Sequence, residues 1–268
     1  MFDLDRHFAA GQAEAAGGVA PFASAGVATC PCGRADGLGP LGRTFCPCRA
    51  GAERRARFEA GVTLGDPSCR TPSRLDGASL AGCRVAVRDA PTADARAERH
   101  AATDAAERFD RAVRDGRAPT AGLCLFGPVG TGKSYTLAAL AAALRDRGVP
   151  VVWTTYASMV GAVQRHYGTD RAGTVEVNLQ RCPVLAVDDL GDPFRTRGAV
   201  QETEDRRRIV LGVVAERAAH FRPTLISANY GSLQEMADQF DPRIADRVRE
   251  ACEVHTLGGR SLRRPPSI

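Results

Sequence analysis

Lysine is nearly missing from this chain: of its 36 basic residues, 35 are arginine and Lys133 is the one exception. Long apolar runs are missing too. No stretch approaches about 18 uninterrupted apolar residues, so neither a membrane-spanning helix nor a membrane partner is expected. The opening residues, MFDLDRHFAAGQAEAAGG, carry neither a basic n-region nor a continuous apolar core. That argues against a secretory signal and for a soluble, cytoplasmic chain. A net charge of +5 and a pI near 8.8 allow a polyanionic partner without describing a dedicated nucleic-acid arm. The five histidines are scattered without metal-ligand spacing, and no repeat of solenoid length recurs.

A composition that has drifted to arginine yet keeps one ammonium points to a task arginine cannot perform. A compact charge on a flexible stem reaches between phosphate oxygens, whereas the planar guanidinium fork fills a different volume. Lys133 lies in GPVGTGKS, Gly127 to Ser134, which fits G-x-x-x-x-G-K-[ST] at every fixed position. The apolar run Leu123 to Phe126 precedes it as a buried parallel strand should. Leu137, Leu140 and Leu144 follow at helical spacing in an alanine-rich stretch that stops near Gly148. Gly127, Pro128, Val129, Gly130, Thr131, Gly132, Lys133, Ser134 and Tyr135 are therefore the candidate cradle for ATP. Backbone N–H groups at the helix start would meet the phosphates, Lys133 would neutralise them, and the Ser134 hydroxyl would ligate Mg²⁺.

The rest of the chain divides by composition. Residues 1–29 are rich in alanine and glycine and read as a flexible segment; residues 30–50 form a cysteine module; residues 51–91 comprise a basic helix, Gly51 to about Phe58, and an irregular linker from 61 to 91. A long helix is predicted from Thr92 to Asp115, with Glu107 to Arg111 and Asp110 to Arg114 as i,i+4 pairs. Strands are then expected at Val149 to Thr154, Pro183 to Val187, Thr224 to Ala228 and Glu253 to Leu257. Helices are expected around Ala157 to His166 and Thr203 to His220. This alternation predicts an α/β P-loop NTPase domain over 92–268, a five-stranded parallel sheet flanked by helices.

Two identical pairs, Cys30-Pro-Cys32 and Cys46-Pro-Cys48, enclose a glycine- and proline-rich loop. Four such thiols suit tetrahedral Zn²⁺, and a segment with so little apolar content needs a metal to fold. The tight C-x-C spacing leaves free or redox-active thiols as the other reading. Cys69 and Cys83 are extra ligands or packed thiols, while Cys124, Cys182 and Cys252 lie in apolar surroundings as core residues.

The second chemical block is PVLAVDDLG, Pro183 to Gly191. An apolar strand ending in carboxylates delivers them beside the phosphate loop, because open parallel sheets bind ligands at that edge. Asp188 would hold Mg²⁺ and Asp189 would orient or deprotonate the attacking water. Asn229, after the strand TLISA, either bonds the γ-phosphate or the water, or simply forms a turn before Gly231.

With these blocks in place, GLCLFGPVGTGKS, VLAVDDLG, RPTLISAN, DPRIADRV and TLGGRSLR resemble, in order and spacing, the AAA+ ATPases that load bacterial replicative helicases, the DnaC type. The IstB-type transposition helpers share most of these blocks. The resemblance spans about Thr92 to Arg264 and also takes in an N-terminal cysteine module, which in such proteins contacts helicase or DNA. It implies self-association through AAA+ interfaces. It also implies an arginine, Arg247 first and Arg243 second, that reaches the ATP of a neighbouring subunit. By spacing alone these two are a helix face of solvated or paired arginines. Ser134 stands where threonine is commoner, Tyr135 where histidine is frequent, and the CPC pairs depart from the usual knuckle. The expected activity is ATP hydrolysis coupled to binding and release of a replicative DNA helicase and single-stranded DNA. A transposition helper and a small-molecule kinase are the alternatives. Candidate DNA contacts are Arg165, His166, Tyr167 and Arg171; Arg206 to Arg208; and Arg260, Arg263 and Arg264, although such groups are more often a solvated face than a binding site.

Overall fold

A computed structural model describes residues 28–29, 32, 35–39, 42–44, 46, 48–52, 71–168, 170–191 and 203–263. The main sheet has five parallel strands: β4 (Gly122–Phe126), β5 (Val151–Thr155), β6 (Val184–Asp188), β7 (Thr224–Ala228) and β8 (Cys252–Thr256), in the order β5-β6-β7-β4-β8. β4, β6 and β7 are buried along their whole length. Because successive side chains on a strand face opposite ways, each strand feeds two cores. Leu123 and Leu125 join one apolar cluster, with Leu137, Leu140 and Trp153, while Cys124 and Phe126 join the other, with Tyr156, Met159 and Ile226. Each Leu or Val buried this completely contributes about 1.5–3 kcal/mol.

Helices cover both faces. On the first lie α1 (Leu80–Arg88), α2 (Ala93–Arg114) and α3 (Lys133–Asp146); on the second lie α4 (Tyr156–Gln164), α5 (Asp170–Arg181), α6 (Glu204–Ala219), α7 (Leu233–Gln239) and α8 (Pro242–Ala251). Thr92 and Thr203 cap α2 and α6 through their side chains, so Thr203, expected as the first helical residue, lies just before the helix. The stretch from 61 to 91, expected as irregular linker, is corrected where it is described: it contains α1, which packs on α2 and α3 and extends the α/β domain N-terminal of Thr92. Its glycine-bearing sequence, LAGCRVAVR, has little local signal, and its stability comes from burial of Cys83 and Val87. The i,i+4 pairs foreseen within α2 are replaced by pairs between elements. Glu107 and Asp104 bind Arg84 of α1, and Asp110 binds Arg147 through two 2.7 Å hydrogen bonds. The region between α4 and β6 carries α5, packed on α6.

Arg217 of α6 is fully buried. Its guanidinium donates to the carbonyls of Leu179, Gln180, Cys182 and Pro223 and to Thr224 Oγ1, at 2.6–3.2 Å. Two of those carbonyls belong to the last turn of α5, where helix carbonyls lack intrahelical donors and carry partial negative charge. The cation thus closes the end of α5 against the start of β7.

In the N-terminal region, β1 (Ala28–Thr29), β2 (Ala35–Gly39) and β3 (Gly42–Thr44) form an antiparallel sheet in that order. Most of residues 1–29 and of the basic segment after Gly51 lies outside the described residues. Among the described residues no helix is long and apolar enough to cross a membrane.

Candidate nucleotide-binding and catalytic site

The ends of β4, β6 and β7 bring the two sequence blocks together, as a parallel sheet requires. The loop from Gly127 to Gly132 leaves β4 and enters α3, whose first helical residue is Lys133. Gly127 has φ 136°, and a Cβ there would lie 2.1 Å from the Leu257 carbonyl oxygen, so no larger residue fits. The Gly130 carbonyl accepts from the Leu262 N–H at 2.8 Å, and Ser261 packs against the same glycine. The segment 257–263 therefore braces the loop from outside. Lys133 is 4% exposed, and its Nζ donates to the carbonyls of Gly127 at 2.8 Å and Pro128 at 2.7 Å.

Ser134 Oγ donates to Asp188 Oδ1 at 2.7 Å, linking the start of α3 to the end of β6. A second hydroxyl, Ser227 Oγ on β7, donates to the same oxygen at 2.5 Å. Asp188 is 1% exposed, and among the described residues its Oδ2 has no hydrogen-bond partner. An orphaned carboxylate oxygen beside a serine hydroxyl is an oxygen-rich donor set of the kind Mg²⁺ takes. Asp189, at φ 55°, adopts a left-handed conformation that few non-glycine residues occupy. Its N–H donates to Ser227 Oγ at 2.9 Å, and its Oδ1 faces Asn229 Nδ2 at 3.5 Å.

Lys133, Ser134, Asp189 and Asn229 line a cavity of about 790 Å³ together with the rest of 129–136, Leu262 and Arg263, while Asp188 and Ser227 are buried behind that wall. Its far wall is made by α1 and α2, with Leu75, Val85, Asp89 and Arg99 among the residues there. Tyr135 also lines it, its hydroxyl against Gly82 of α1. Arg99 is 3% exposed; one guanidinium nitrogen donates to the Ala86 carbonyl, two have no partner among the described residues, and burial lowers its pKa. It was legible as an arginine on the buried Ala95, Ala102, Ala106 stripe of α2. Ser227 was legible as a hydroxyl within a wholly buried strand. Neither was singled out.

Arg243 and Arg247 are not on the cavity wall of their own chain. Both project from α8, Arg243 paired with Asp241 and Glu204, and Arg247, 45% exposed, with Glu250. Of the expected DNA contacts, Tyr167 donates to Asp205, Arg208 pairs with Asp205, and Arg263 faces the cavity. The Arg171 side chain and Arg264 lie outside the described residues.

Away from the cavity, the Sγ atoms of Cys32, Cys46 and Cys48 all lie within 4.8 Å of one another, Cys32 and Cys46 at 3.3 Å. The Gly51 N–H donates to Cys48 Sγ. Three thiols in reach of one ion fit a zinc site that needs a fourth ligand; Cys30, expected in that place, lies outside the described residues, as does Cys69. Cys83, Cys124, Cys182 and Cys252 are buried free thiols, and burial pushes Cys252 up to about 12.

Residues 117–267 match the family model described as IstB-like ATP binding protein. Among solved structures, the DnaC helicase loader aligns with a TM-score of 0.55 at 17% identity, over 69% of this chain and 99% of that one. DnaI aligns with a TM-score of 0.55 at 23% identity, over 69% and 94%. These two likenesses concern the fold. No curated protein matches the chain.

Proposed function

Since the chain belongs to the family of IstB-like ATP binding proteins, we propose that it hydrolyses ATP and uses the cycle to bind and release a replicative helicase on single-stranded DNA. The observation that carries the ATPase reading is the Ser134–Asp188 contact with its orphaned Oδ2, a short distance along the loop from Lys133. In this reading the amides from Gly130 to Ser134 and the Lys133 ammonium hold the β- and γ-phosphates at the start of α3. Ser134 and Asp188 would hold Mg²⁺, which supplies positive charge beside those phosphates. Asp189 orients the attacking water and takes its proton, with Asn229 fixing the carboxylate or the γ-phosphate. The bond between the γ-phosphorus and the bridging oxygen breaks, giving ADP and phosphate. The exposed Arg247, with Arg243 second, acts on the ATP of a neighbouring subunit, which makes turnover depend on self-association. Its place on α8, off its own cavity wall, supports that role.

The loader assignment is favoured by the order of the DDLG and RIADRV blocks and by the cysteine module, where Cys32, Cys46 and Cys48 with Cys30 would bind zinc and dock helicase or DNA. Near-complete coverage of the DnaC and DnaI chains fits it as well. The family match favours a second reading, a transposition helper that assembles on duplex DNA. Phosphate release by purified protein, with and without single-stranded DNA, tests the ATPase, and its absence in all conditions would refute it. A pull-down with the host's replicative helicase in ATP and in ADP tests the loader; nucleotide-dependent capture of a transposase instead would establish the helper.

A further inference from the structure

Ser227 is a serine in the most buried part of the sheet. It is 0% exposed, and its strand neighbours Leu225 and Ile226 are core residues of the two clusters. Its hydroxyl has one hydrogen and two lone pairs, and it uses both kinds of valence on the acid pair. The hydrogen goes to Asp188 Oδ1 at 2.5 Å, and a lone pair receives the Asp189 N–H at 2.9 Å. The carbonyl of the same residue accepts the Leu190 N–H at 2.8 Å. One residue of β7 thus holds three consecutive residues at the end of β6.

We propose that Ser227 is a positioning residue that sets the metal affinity of Asp188 and holds Asp189 in its water-directing place; this rests on the ATPase reading above. Two hydroxyl donors converge on Asp188 Oδ1, which fixes the rotation of the carboxylate and presents Oδ2 in one direction. Mg²⁺ demands near-ideal octahedral geometry, so the orientation of a ligand oxygen matters as well as its presence. A serine that ligates Mg²⁺ through its oxygen can still donate its hydrogen, but its position then follows the metal. Ser227, buried in the strand, is the donor whose position does not. Outer-shell partners of this kind tune metal affinity without touching the ion.

The same hydroxyl acts on Asp189 through the backbone. A non-glycine residue at φ 55° is strained, and such a conformation persists only where surroundings enforce it. The Ser227 oxygen holds the amide end of Asp189, and Asn229, two residues further along, faces its carboxylate. Without that oxygen the half-buried N–H loses this acceptor, and the backbone relaxes towards a commoner conformation that carries the carboxylate away.

The test compares full-length wild type with Ser227→Ala and Ser227→Thr by ATP-analogue binding in EDTA and in Mg²⁺, by hydrolysis against Mg²⁺ concentration, and by thermal melting. In Ser227→Ala the affinity in EDTA stays within about twofold, while the Mg²⁺ concentration for half-maximal binding enhancement rises about tenfold. Its kcat falls about tenfold with little change in KM for ATP. Ser227→Thr, which keeps the hydroxyl, restores the Mg²⁺ requirement to within about twofold of wild type, by the same outer-shell logic. An unchanged Mg²⁺ requirement in Ser227→Ala overturns the proposal, including where turnover falls in step with melting, since that is what a purely structural hydroxyl would produce. The Ser227→Ala titration decides alone should the threonine variant fold poorly. A wild type that neither binds nor hydrolyses ATP would overturn the ATPase reading and this inference with it.

Discussion

Lys133→Ala removes an ammonium that is 4% exposed and donates to the Gly127 and Pro128 carbonyls. To reach a phosphate oxygen the side chain must swing away from at least one of them. A charge pair at about 4 Å is worth about 4 kcal/mol at an effective dielectric near 20, and releasing one charge-assisted carbonyl bond costs about 1.5 kcal/mol. The difference, about 2.5 kcal/mol, corresponds to roughly a 70-fold rise in Kd for ATP. Folding should change little, because alanine is well suited to the first turn of α3. Calorimetric titration with Mg²⁺–ATP, beside a melting curve, measures both. A folded Lys133→Ala protein with a Kd within about threefold of wild type would refute the electrostatic argument. Lys133→Arg separates charge from shape. If the ammonium is retained because the planar fork does not fit, the arginine variant binds weakly too, and wild-type affinity in that variant would refute the inference drawn from the lone lysine.

Arg217→Met leaves the carbonyls of Leu179, Cys182 and Pro223 buried without their shared donor. Urea denaturation should register a loss of about 1–3 kcal/mol, the cost of leaving a buried acceptor unsatisfied, with ATP affinity of the folded fraction unchanged. Asp241 caps α8 through the N–H groups of Arg243 and Ile244. Burial raises its pKa, but the Arg243 side chain and those two N–H groups outweigh it, so the net shift is downward. A depressed folded pKa means stabilisation that is present above the unfolded value and lost as pH falls through the folded one. Asp241→Ala should therefore cost about 1–2 kcal/mol near neutrality, with the gap from wild type closing only in acid below the usual carboxylate range. Arg247→Ala should lower turnover at least about tenfold without weakening ATP binding, measured by phosphate release at fixed protein concentration. Cys46→Ser should abolish bound zinc in metal analysis, and wild type purified without zinc would end that claim.

The blocks that were legible in advance share one property: their chemistry is local. Gly127 to Ser134 needs only its own backbone and the helix it opens, and a strand buried on both faces announces itself as an unbroken apolar run such as Leu123 to Phe126. Thr92 was a legible cap because a cap acts within one turn. Asp188 and Asp189 followed from their place at a strand end, since the sheet rule needs no knowledge of register. By contrast α1 was hidden, because LAGCRVAVR has weak propensity and is helical through what it packs on. The partners of Glu107 and Asp110 were misplaced for a related reason. Spacing along α2 offered Arg111 and Arg114, but neighbouring helices put Arg84 and Arg147 closer to hand.

Sequence by itself located the phosphate-loop motif at the start of a helix and the acid pair at the end of a strand, because those are properties of single elements and their ends. Tertiary structure alone decided that Ser227 meets Asp188, about forty positions away along the chain, through a parallel register that sets Val187 against Ile226. It also decided that residues 257–263 brace the phosphate loop. Register across a sheet is set by how two faces bury their side chains at once, and no window of sequence contains both faces.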